Sequence, residues 1–75
     1  MKKTLYAYTK QNSFNLPLYL TVKSYKGAPL YMFTGNIQLA YVFESEQEAF
    51  DFYNHIDDSN RIKLELENCE IAQIA

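Results

Sequence analysis

Apolar and polar residues alternate with a period of two along much of residues 4–43, the signature of half-buried strands. Leu5 and Ala7 alternate with Tyr6 and Tyr8 between Thr4 and Thr9, which predicts a first strand. The polar run Lys10-Gln11-Asn12-Ser13-Phe14-Asn15 predicts a loop, and Pro17 suits the first residue of an edge strand or a bulge. Leu18, Leu20 and Val22 then alternate with Tyr19, Thr21 and Lys23. Lys26-Gly27-Ala28-Pro29 reads as a turn, and Leu30–Thr34 resumes extended structure. Gly35-Asn36 predicts a second tight turn, since both residues tolerate positive φ. A fourth strand is expected over Ile37–Phe43, where Ile37, Leu39, Tyr41 and Phe43 alternate with Gln38, Ala40 and Val42.

The period changes at Ser45. Ser45-Glu46-Gln47-Glu48 fits a capping box, and Ala49, Phe52, Tyr53 and Ile56 fall on one helical stripe with Phe50 on its flank. A helix is predicted over about residues 46–56, ended by Asp57-Asp58-Ser59-Asn60. In Arg61–Ile74 the apolar Ile62, Leu64 and Leu66 alternate with Lys63, Glu65 and Glu67, which predicts a last strand. After Asn68 the phase slips to Cys69 and Ile71, so a bulge is expected there. The expected fold class is α+β: a four- to five-stranded antiparallel sheet with one helix packed on one face, in the order β-β-β-β-α-β. The 75 residues suit a single domain, 1–75, with a thin core and little room for a deep cleft. At 48% hydrophobic and 16% aromatic residues, large rings can fill such a core.

Charge adds a second pattern. Residues 1–43 hold five lysines and no acid, whereas all nine acidic residues lie from Glu44 onward, with only Arg61 and Lys63 to oppose them. Such asymmetry bears on partners rather than on fold. It nominates Asp51, Asp57, Asp58, Glu65 and Glu67 as an acidic patch for a protein partner with a basic surface, against the plainer reading of a solvated face. An alternative binding face comprises Tyr6, Tyr8, Tyr19, Lys23 and Tyr25, in which tyrosines beside lysines could stack bases or dock a protein. The low overall basicity argues against direct nucleic-acid binding. Self-association as a homodimer is a third reading.

No catalytic or metal site emerges. His55 reads as a surface histidine near a helix C-terminus, and Cys69 as a buried structural thiol. Asp57-Asp58-Ser59-Asn60 lacks the alternating ligands and closing Glu of a calcium loop. No cofactor motif is present, and the chain is expected not to be an enzyme. A lone cysteine points to a reducing compartment, and no apolar run reaches the length of a signal core or a membrane span. A cytoplasmic location, away from membranes, is expected.

The stretch from Leu18 to Ile56, with "YLTVKSYKGAPLYMF" followed by "LAYVFESEQEAFDFYNHI", resembles small orphan accessory proteins of phages and prophages. In those proteins an aromatic-ended strand leads into a Ser/Thr-x-x-Glu-Ala-x-x-Phe helix. The resemblance implies a mobile-element role acting in the host cytoplasm, such as an anti-CRISPR-like inhibitor of a host defence or nucleic-acid-handling complex. It carries over no site residues. The leading expectation is a non-catalytic protein-binding module. The alternatives are a small nucleic-acid-binding domain using the Tyr/Lys face and a self-associating structural or regulatory protein.

Overall fold

The structure, a computed structural model, describes residues 4–57 and 61–75. It comprises β1 (Tyr6–Gln11), β2 (Pro17–Tyr25), β3 (Ala28–Thr34), a 3-10 turn (Ile37–Leu39), α1 (Glu46–His55), α2 (Arg61–Leu66) and β4 (Glu70–Gln73). The fold is α+β, with one four-stranded antiparallel sheet in the order β3-β2-β1-β4 and helix packed on one face. Among the described residues, no helix is long and apolar enough to cross a membrane.

Local chemistry explains the elements that the period identifies. Tyr25 pairs with Ala28 across Lys26 and Gly27, whose φ values of 50° and 80° suit a two-residue hairpin loop of the mirror-image type. β2 begins at Pro17, where a missing N–H costs least. The Ser45 Oγ accepts the Glu48 N–H at 3.1 Å and caps α1, while the Glu48 carboxylate reaches back to the Glu44 N–H at 2.8 Å.

Two expected strands take other forms. Over Arg61–Leu66 the chain is the helix α2 rather than a strand, and with a 3-10 turn in place of the expected fourth strand the order β-β-β-β-α-β becomes β-β-β-α-α-β. Arg, Lys, Leu and Glu are strong helix formers, and Ile62 and Leu66 stand one helical turn apart. Both are buried, at 6% and 3% exposure, whereas Leu64 between them is 61% exposed. The phase slip at Asn68 is therefore the end of a helix and not a bulge: the Glu67, Asn68 and Cys69 N–H groups bond back to Lys63, Glu65 and Leu66 carbonyls. Asp58, with Ser59 and Asn60 of the expected turn, lies outside the described residues.

The expected fourth strand over Ile37–Phe43 is also corrected. Asn36 caps the 3-10 turn, its Oδ1 accepting the Gln38 N–H at 3.0 Å, so the chain does not fold back beside β3. It runs instead into a fork in the sheet. β1 and β2 pair only through Thr9–Gln11 and Pro17–Tyr19. Beyond that point Tyr6 exchanges two backbone hydrogen bonds with Phe43, at 2.9 and 2.8 Å, and the Tyr41 N–H donates to the Leu20 carbonyl at 2.7 Å. Residues 41–43 thus satisfy backbone groups that the parting strands would otherwise leave unpaired.

The side chain of Phe43 enters the core from this fork. It meets Tyr8 edge to face at 5.8 Å, Tyr41 edge to face at 5.2 Å and Phe52 at 5.3 Å. With Leu20, Ala49, Ile56, Ile62 and Leu66, the rings of Tyr8, Phe43 and Phe52 build one core between the sheet and both helices, and the exposed Tyr41 lies at its margin. On the opposite face of the sheet Ala7 and Thr21 are buried as well.

Candidate protein-binding groove

α1 presents Glu46, Phe50 and Tyr53 on one flank, spaced by four and three residues, the spacing that aligns side chains along a helix. This flank faces Leu66 and Glu67 at the end of α2 and Cys69, Glu70 and Ile71 at the start of β4. Together with Tyr8 these residues enclose an open groove of about 540 Å³. Its floor is apolar and aromatic, and Phe50 is 55% exposed within it. Among the described residues three carboxylates line it and no cation does, although the Lys63 ammonium stands 4.8 Å from the ring centre of Tyr53.

The groove is internally braced. Tyr53 donates its hydroxyl to Glu67 Oε1 at 2.8 Å, which ties α1 to the end of α2. Tyr8 reaches from β1 and donates its hydroxyl to the carbonyl of Ala49, which anchors the sheet to α1. Burial, with the Cys69 thiol and Tyr53 as lesser causes, pushes the Tyr8 phenol up to about 12. Burial also raises the Cys69 thiol, against the pull of Lys10 and with some help from Glu65. A thiol kept protonated is a poor nucleophile, and its Sγ lies 3.4 Å from the Glu65 carbonyl.

The five nominated acids do not form one patch. Only Glu67 enters this groove. Asp51 is exposed on α1, its carboxylate accepting from Gln47 Nε2 at 3.0 Å. Asp57 is exposed just after α1, and Asp58 lies outside the described residues. Glu65 lines a second groove, of about 370 Å³, with Pro29, Leu30, Tyr31, Arg61 and Ile62. Glu65 and Glu67 part company because their segment is helical, which turns residues two apart to different sides. Glu46 and Glu70 belong to the acidic half that the sequence marks but are not among the five nominated residues. The signal for Glu46 was present, since it shares the flank of Phe50 and Tyr53.

The alternative Tyr/Lys face is divided as well. The register pairs Thr9 with Tyr19, so even-numbered residues of β1 share a face with even-numbered residues of β2. Tyr6 and Tyr8 therefore lie with Leu20 and Val22 under the helices, and Tyr8 is only 3% exposed. Tyr19, Lys23 and Tyr25 lie on the far face, where Tyr25 is 61% exposed with the Lys26 ammonium 5.5 Å from its ring centre. His55 is exposed at the end of α1, its Nδ1 2.7 Å from the Asp51 carbonyl. Among the described residues no three metal-ligating side chains cluster.

Comparison with family models, with curated proteins and with solved structures gives no match to this chain.

Proposed function

We propose that this chain is a non-catalytic protein-binding module whose groove between α1, α2 and β4 receives a basic segment of a partner protein. The observation that carries this reading is the pairing of an apolar floor, with Phe50 half exposed, and the carboxylates of Glu46, Glu67 and Glu70, with no cation among the described lining residues. A lysine or arginine matches both halves, its methylene stem lying on the floor and its charged head reaching the carboxylates. Desolvated aromatic floors with a charged rim are where binding energy concentrates. The narrower role suggested by the resemblance, inhibition of a host nucleic-acid-handling complex, is one setting for such a module, because proteins of that kind present Arg- and Lys-rich surfaces.

The test uses a fluorescent peptide of alternating arginine and leucine, titrated at low and high salt. The unmodified protein is expected to bind it, with affinity falling as salt rises. Glu46→Lys with Glu70→Lys should weaken binding by at least about tenfold and flatten the salt dependence, while Phe50→Ser should weaken it at every salt concentration. Asp51→Lys, on α1 but outside the groove, should change little. No binding at low salt, or equal binding by the folded double variant, refutes the proposal.

A further inference from the structure

β3 closes one side of the sheet, and its outer edge pairs with no described residue. Proteins ordinarily guard such an edge with charge, bulges, prolines or short length. This one is seven residues long, and the whole of residues 27–43 contains no charged side chain. Its one guard is Pro29, near the start, which leaves Leu30–Thr34 unprotected. On the face away from the helices Leu30 and Met32 are 43% and 39% exposed, and Ile37 and Leu39 of the following turn are 45% and 52% exposed. Six of the eleven exposed large hydrophobic residues of the described chain fall in this uncharged stretch.

We propose that two copies of this chain associate through β3, edge to edge and antiparallel about a twofold axis near Tyr31, to give one continuous eight-stranded sheet. A twofold contact requires a surface complementary to itself. The edge meets that condition. Antiparallel pairing about Tyr31 sets Leu30 of each copy opposite Met32 of the other, and no like charges meet although each chain carries a net charge of −2. The groove along β3 carries one base and one acid, Arg61 and Glu65, one helical turn apart, and so brings no net charge to the contact. Leu30 and Met32 offer on the order of 150 Å² of exposed apolar side chain to such a contact, so that with the paired backbone it is smaller than stable interfaces of roughly 600 Å² per partner. So small a contact makes a weak dimer, which calls for a test that reaches high protein concentration. This association does not involve the acidic groove, so either can fail without the other.

Sedimentation equilibrium of the full chain, from about 1 to about 500 μM, tests it. The average mass should rise from 8.8 kDa toward twice that value. Met32→Lys and, separately, Leu30→Lys set like charges against each other across the axis, and each should raise the dissociation constant at least about tenfold. Both positions are exposed, so the monomer should keep its circular dichroism spectrum. Phe50→Ser, in the other groove, should dimerise like the parent. If a lysine variant does not fold, hydrogen exchange of the parent decides: the amides of Leu30–Thr34 that face outward should exchange more slowly at high than at low concentration. A mass of 8.8 kDa at every concentration overturns the proposal and leaves the edge to a strand of some other protein. Dimerisation unaltered in both folded lysine variants overturns it in favour of a different interface.

Discussion

Replacing Phe43 with alanine should come close to unfolding this protein. Phe43 is 6% exposed and sits where the fork of the sheet meets the core. Burying such a ring stabilises by about 1.5–3 kcal/mol. Its two edge-to-face contacts, with Tyr8 at 5.8 Å and Tyr41 at 5.2 Å, add about 0.5–1.5 kcal/mol each. The expected loss is therefore about 3–5 kcal/mol, in line with other buried Phe→Ala changes. At 0.05–0.15 kcal/mol per residue, a chain this short has a total of about 4–11 kcal/mol. In urea melts followed by circular dichroism, a slope of about 1 kcal/mol/M turns the loss into a midpoint lower by roughly 3–5 M. Phe43→Leu keeps an apolar side chain in the fork and should cost only about 1 kcal/mol. A Phe43→Ala protein that loses less than about 1 kcal/mol with an unchanged slope would refute the view that the fork is held shut by this side chain.

Two other substitutions distinguish helix from strand over Arg61–Leu66. Leu64→Lys should change stability by no more than about 0.5 kcal/mol, whereas Leu66→Ala should cost about 2–5 kcal/mol in the same urea melts; comparable losses at both sites would restore the strand. Tyr8→Phe tests the buried phenol. The neutral phenol is favoured in the folded state, with its pKa raised from 10.0 to about 12, so its contribution is full below about pH 10 and lost as pH rises through about 12. The stability advantage of the parent over Tyr8→Phe should accordingly shrink between those two pH values, and an advantage that stays constant would show that the hydroxyl is not confined as described.

The parts of the fold that the sequence reveals are those in which neighbouring residues decide the outcome. Ser45 and Glu48 set the start of α1 between themselves, and Lys26-Gly27 sets the β2–β3 hairpin. The segment Arg61–Leu66 resisted reading because Ile62, Leu64 and Leu66 match a period of two while Ile62 and Leu66 also match a helical turn. Only contact with the core decides between them, and it leaves Leu64 outside. Over residues 41–43 the alternation marks Phe43 as buried, but Tyr6, which pairs with Phe43, and Leu20, which pairs with Tyr41, lie far off in sequence, and nothing local names them. The candidate site follows the same division. The concentration of acids after Glu44 is legible, yet their distribution over two grooves depends on α2 being a helix. Likewise, the inward turn of Tyr6 and Tyr8 depends on a register that pairs Thr9 with Tyr19.

The position of β1 also governs how the chain must assemble. β2 and β3 join across two residues, and such a hairpin closes within about 1–10 μs. β1 pairs locally with β2 through Thr9–Gln11, but it takes β4 on its other side, with Tyr8 opposite Ile71, and Phe43 beyond the fork. Roughly 60 residues separate Tyr8 from Ile71, about five doublings of the hairpin's loop, which adds on the order of 3 kcal/mol of closure entropy. That cost is recovered only when Tyr8 reaches the carbonyl of Ala49 and the rings gather around Phe43. The first strand in the sequence thus completes its set of neighbours only when β4 arrives from the far end of the chain.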